Sequence, residues 1–135
     1  MSYGGTLALQ RAVYDLLRDD AALGALVGTA IHEAPPAGEA PGLWVSLGGE
    51  RVRDRSSVGG AGARHDVTVS VISEDGGFAR AKAAAAAVSD ALDGARPALD
   101  RGRVTDMSFA SARARGRGRT RRIDMVFRIL WDDEA

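Results

Sequence analysis

The run RIDMVFRILW (122–131) limits the fold of this chain more than any other stretch. Its apolar residues Ile123, Met125, Phe127, Ile129 and Trp131 occupy every second position, with Asp124 and Arg128 between them. Side chains of a β-strand point alternately to opposite faces, so this period puts five large apolar groups on one face and charges on the other. A helix would scatter the same residues around its circumference. Such a strand needs neighbours in a sheet and a second layer over its apolar face.

The pattern recurs in RHDVTVSVIS (64–73), where Val67, Val69 and Val71 face one way and Asp66, Thr68 and Ser70 the other. LWVSLGGERVRDR (43–55) reads as its partner, apolar at first and then charged. The glycine-rich SSVGGAGA between them predicts a flexible tip rather than a tight two-residue turn. The hairpin has a buried root and a tip beyond the core, an arm that needs a partner to lie against. RVTDMSFASA (103–112) forms the first arm of a second hairpin, with Met107 and Phe109 on one face. Its return strand is 122–131, so residues 113–122 are expected to connect the two.

The covering layer is helical. Leu9, Ala12, Val13, Leu16 and Leu17 recur at helical spacing from Thr6, the expected N-cap. Asp19 or Asp20 is placed to cap a short helix, AALGALVG, ended by Gly28. IHEAPPAGEAPG (31–42) holds three of the four prolines and reads as an irregular crossing. FARAKAAAAAVSDALDG is a helix with the stripe Phe78, Ala81, Ala85, Val88 and Leu92, closed by Gly94. The expectation is α+β: one domain, 1–135, in the order α(α)-β-β-α-β-β. An antiparallel or mixed sheet of about four strands, two β-hairpins, carries helices on one face.

Composition narrows the function classes. The chain has 135 residues, 45% of them hydrophobic, a length at which one unstapled core is feasible. It contains no cysteine, which excludes disulfides, thiolate metal sites and cysteine nucleophiles. MSYGGTLALQRAVYDLL lacks the layout of a signal peptide, and no apolar run is long enough for a membrane-spanning helix, so a protein made and assembled in the cytoplasm is expected. His32 and His65 have no metal-ligand spacing, and His65 reads as a strand residue at the sheet edge. Gly59, Gly60 and Gly62 precede a strand, not a helix, and form no dinucleotide or phosphate loop. Ser56 and Ser57 have no recognisable base nearby. Asp132, Asp133 and Glu134 read as a solvated tail, and Trp44 and Trp131 as core. No enzyme, cofactor or metal is expected.

Arginine is what remains. Eighteen basic residues balance eighteen acidic ones, yet Arg113, Arg115, Arg117, Arg119, Arg121 and Arg122 crowd into ARARGRGRTRR (112–122). Without these six, twelve basic residues face eighteen acidic ones, so the remainder carries −6. The run has no interleaved aromatic, so it offers no stacking platform for bases. Phosphate contact, contact with a protein partner and a solvated loop all stay open.

Taken together, these segments resemble the tail-completion, or tail-terminator, proteins of long-tailed phages. The resemblance is closest to the version found in gene transfer agents of alphaproteobacteria. It runs from LQRAVYDLLRDDAALGALVG and AIHEAPPAGEAPGLWVSLG through GERVRDRSSVGGAGARHDVTVSVIS and FARAKAAAAAVSDAL to RGRVTDMSFASARARGRGRTRRIDMVFRI. It implies a hexameric ring of identical subunits that caps the head-proximal end of a tail tube and stops its growth. The ring would sit at the neck of a phage or gene transfer agent particle, join the tail to a head connector or stopper protein, and leave a channel for DNA. No membrane and no catalytic residue are implied. On this reading Arg51, Arg53, Arg55 and Arg64 serve subunit or tube contacts, and the six arginines of 113–122 face the channel or an axial partner. The competing readings are a head-side neck adaptor or stopper and a small nucleic-acid-binding module that uses the arginine loop.

Overall fold

The computed structural model describes residues 3–33, 42–75 and 77–133. The elements follow in the order α1 (Thr6–Arg18), α2 (Ala21–Val27), β1 (Ile31–His32), β2 (Leu43–Asp54), β3 (Gly62–Ser73), α3 (Ala79–Leu92), β4 (Arg103–Arg117) and β5 (Thr120–Asp132). The strands form one sheet in the order β1-β2-β3-β5-β4. All neighbours are antiparallel except β1 and β2, which run parallel. The fold is thus α+β with a mixed sheet, of five strands rather than four. The extra strand is two residues long, too short to show any alternation. Of the expected proline-rich crossing, residues 34–41 lie outside the described residues.

Registry explains why the middle of the sheet holds together. Val71, Val69, Val67, His65 and Ala63 of β3 lie opposite Ile123, Met125, Phe127, Ile129 and Trp131 of β5. Both period-two runs therefore present their apolar residues to the same side. The helices cover that side with Leu9, Val13, Leu17, Leu23, Val88 and Leu92, all buried in one cluster with Val45, Met107, Phe127 and Trp131. The alanines of α3 let it approach closely, and Ala81 and Ala84 are completely buried. Full burial of side chains the size of Leu or Phe stabilises by about 1.5–3 kcal/mol each, so this two-layer contact dominates the folding energy.

Local signals behaved unevenly. Asp20 caps α2, its carboxylate accepting from the Leu23 N–H at 2.9 Å, and Gly28 closes the helix with φ 60°. Thr6 does not cap α1. Gly5 occupies the cap position, because the Thr6 hydroxyl instead donates to the Tyr3 carbonyl at 3.1 Å. His65 is completely buried and belongs to a central strand, not an edge, since β5 covers the side of β3 that β2 leaves open. The tip of the first hairpin closes more tightly than expected, with Ser57 and Gly60 exchanging backbone hydrogen bonds of 2.8 and 3.2 Å around Val58–Gly59. β3 is paired along its length with β5, so what projects is the 55–61 tip, while the charged outer half of β2 is a sheet edge paired with β3 alone. Asp132 ends β5, and Asp133 is bound by Arg101 through contacts of 2.9 and 2.8 Å, so neither is a free tail residue. Glu134 lies outside the described residues. Trp44 and Trp131 are both buried, as expected.

Candidate functional site

The arginine-rich stretch is not a loop. β4 runs to Arg117 and β5 starts at Thr120, so Gly118 and Arg119 alone form the turn. Gly118 has φ 59°, and a positive φ at the first of two turn residues is what a type II′ hairpin turn requires. The strand assignment explains the alternation of Arg with Ala and Gly. Ala112, Ala114 and Gly116 lie opposite Met125, Ile123 and Arg121 on the helix side, whereas Arg113, Arg115 and Arg117 lie opposite Asp124, Arg122 and Thr120 on the other. Reading for apolar alternation stops at residue 112 because alanine and glycine leave a weak apolar signal. The i, i+2 spacing of arginine was the usable cue.

The same registry continues across the sheet. Arg51 and Arg53 of β2 lie opposite Asp66 and Arg64 of β3, and Asp66 lies opposite Arg128 of β5. These residues, too, are on the face without helices. Arginines from both hairpins, far apart in the chain, thus share one open sheet face. Arg55 (beyond β2), Arg119 (in the turn) and Arg121 do not. The guanidinium carbon of Arg121 sits 5.3 Å from the centre of the Phe78 ring, on the helix side.

Two aspartates organise this face. Asp66 accepts from Arg64 at 3.3 and 3.1 Å and from Arg128 at 3.5 Å. Asp124 accepts from the Ser70 hydroxyl at 2.6 Å and from Arg122 Nε at 2.8 Å, and forms an ion pair with Arg115 at 3.2 Å. Burial opposes ionisation of Asp66, but the hydrogen bonds and charge of Arg64 and then Arg128 outweigh it and lower its pKa. For Asp124 burial again opposes ionisation, and Ser70, Arg122 and Arg115 more than reverse that effect. Each carboxylate is therefore anionic at neutral pH and shared by two guanidiniums, which leaves one net positive charge in each Arg–Asp–Arg group. Among the described residues, no carboxylate lies within ion-pair distance of Arg51, Arg53, Arg113 or Arg117. The organising roles of Asp66, Asp124 and Arg128 were missed in sequence, although the strand alternation already placed all three opposite the apolar face.

Among the described residues no group of three or more His, Asp or Glu side chains is placed to hold a metal ion, and no helix is long and apolar enough to cross a membrane. What the face offers is fixed positive charge on a broad, rigid surface, with a projecting tip at each end of the sheet. Binding and assembly are within its means.

The comparisons with known proteins agree with that character. The family described as tail completion protein gp17 matches residues 11–132, and the chain belongs to this family of structural tail components. Among solved structures, a chain of the "Virion of native gene transfer agent (GTA) particle" is similar at 54% sequence identity and a TM-score of 0.92. The match covers 97% of this chain and 99% of that one. No curated protein matches the chain.

Proposed function

We propose that this chain is the tail terminator of a gene-transfer-agent-like particle, a virion component that acts by assembly and not by catalysis. Identical subunits form a hexameric ring at the head–tail junction. The ring caps the head-proximal end of the tail tube, stops its polymerisation and meets the head connector or stopper protein around a channel for DNA. The observation that carries this reading is the near full-length similarity to a chain of a gene transfer agent virion. Two structural features favour a ring. The 55–61 tip and the Gly118–Arg119 turn project from opposite ends of the sheet, a geometry suited to head-to-tail contacts that close on themselves. In this arrangement Arg51, Arg53, Arg55 and Arg64 serve subunit or tube contacts. Arg113, Arg115, Arg117 and Arg122 on the open face, with Arg119 at the turn, face the channel or an axial partner, whereas Arg121 lies on the helix side against Phe78 and is set apart from them. Assembly takes place in the bacterial cytoplasm.

Deletion of the gene, followed by electron microscopy of the particles, tests the reading. The expected result is tails of uncontrolled length that fail to join heads. Tails of normal length that end without a head would transfer the chain to the head-side stopper class.

A further inference from the structure

We propose that the open face of the β4–β5 ribbon, formed by Arg113, Arg115, Arg117 and Arg122, is a binding surface for the phosphodiester backbone of duplex DNA. This deepens the assignment of that ribbon to the channel, and rests on the particle reading for the reason DNA is met there.

Three observations carry it. First, the four guanidiniums are concentrated where the chain as a whole is neutral. Asp124 is the one carboxylate ion-paired among them, which leaves the four a surplus of three positive charges, with Glu74 held at the turn end of the patch by the Thr120 hydroxyl at 2.7 Å. Second, the charges are held in place. Arg113, Arg115 and Arg117 occupy alternate positions of a paired strand, a row about 13 Å long at the usual strand rise. That length runs beside roughly four phosphates of one DNA strand. Asp124 and Ser70 fix Arg122, and Asp124 fixes Arg115, so less side-chain freedom is lost when they meet an anion. Arg113 and Arg117 are exposed, with guanidiniums that no carboxylate among the described residues pairs with.

Third, the neighbouring side chains suit a phosphate backbone better than a protein. Protein interfaces centre on buried aromatic or apolar anchors. The registered neighbours of this patch are instead Ser111, Thr120, Ser70, the half-buried Val126 and Ile72, which is already buried and so offers a partner no free apolar anchor. No aromatic ring lies among them, so unstacked bases find no platform and the duplex backbone is the matching form. Contacts of this kind carry no sequence preference.

The test uses the purified full-length protein and a fluorescent 20-base-pair duplex of arbitrary sequence, read by anisotropy from 50 to 200 mM salt. Three neutralised phosphates predict a slope of log K against log salt of about −2.7, a loss of affinity of roughly 40-fold over that range. R113A/R117A leaves one surplus charge and should flatten the slope to about −0.9, a loss of roughly 3.5-fold. R11A/R18A removes the same charge from α1 and should leave the slope unchanged; circular dichroism confirms that both variants are folded. No binding at 50 mM salt, or equal effects of the two double variants, would overturn the proposal. Displacement of the duplex by polyglutamate at equal charge concentration would also overturn it and make the patch a site for an acidic protein. A single strand bound more tightly than the duplex would contradict the duplex assignment. Tail length in the gene deletion tests the particle reading by itself, so either idea can fail while the other stands.

Discussion

Replacing three glycines by alanine, one at a time, separates backbone conformation from packing. Gly102 has φ 69°, and an added Cβ would overlap the Asp132 carbonyl oxygen and come within 2.5 Å of Trp131 Nε1 and 2.6 Å of Trp131 Cε2. Neither neighbour can swing away. The carbonyl is backbone at the end of β5, and the completely buried indole donates to the Arg101 carbonyl at 3.1 Å. A left-handed alanine costs about 1–2 kcal/mol, and forcing a methyl into a filled core costs about 1–3 kcal/mol more. Gly102→Ala should therefore lose about 2–5 kcal/mol. Gly118 has φ 59° with open space around it, so Gly118→Ala isolates the conformational part, about 1–2 kcal/mol. Gly24 lies inside α2, again with open space, and Gly24→Ala should gain about 0.5–1 kcal/mol. Urea unfolding followed by the fluorescence of Trp44 and Trp131 reads all three. With an m-value of about 2 kcal/mol/M, the midpoints should fall by about 1–2.5 M, fall by about 0.5–1 M and rise by about 0.3–0.5 M. A Gly102→Ala midpoint equal to or above that of Gly118→Ala would refute the packing argument.

Other perturbations test the remaining parts of the structure. Phe127→Ala empties the centre of the β5 core and should cost about 3–5 kcal/mol in the same urea assay. Burial of His65 lowers its pKa from the usual 6.5 by more than the nearby Glu50 charge raises it. The unfolded chain then binds more protons, so stability is complete above pH 6.5 and declines as pH falls below it. His65→Leu should flatten that decline, measured as urea midpoints at pH 5 to 8. Asp124→Asn leaves Arg115 and Arg122 without their shared anion and should cost about 1 kcal/mol. The same change raises the surplus on the ribbon to four and should steepen the DNA salt slope to about −3.6.

Where a period was carried by large side chains, the sequence was legible. Ile123 to Trp131 and Val67 to Val71 announced their strands and their buried faces, and the helical stripes announced the layer above them. Legibility failed where the informative atoms were small or the cause lay far off in the chain. Ala112, Ala114 and Gly116 make a strand face that hardly registers as apolar, which hid the outer third of β4. His65 was misplaced because its burial depends on β5, more than fifty residues later. β1 needs β2 to exist at all. The arginines were visible as a composition, but their meeting on one face with Asp66 and Asp124 follows from strand order, which no local pattern encodes. Thr6 shows the converse failure, since a good capping residue found a different partner in Tyr3.

The central pairing of β3 with β5 also bears on how the chain is made. Each hairpin can close locally, within microseconds of leaving the ribosome. Val71, however, waits for Ile123, about fifty residues further on, with all of α3 and β4 between them. At roughly 5–20 residues per second, that interval lasts about 3–10 s. During it β3 presents an unpaired edge whose valines are attractive to any other strand in reach. Arg64 and Asp66 at one end of that edge, and Ser70 and Ser73 at the other, break the apolar run into short pieces. Charges that in the finished fold set the character of the open face would first serve as guards, keeping a half-made sheet from pairing with its neighbours before its own last strand arrives.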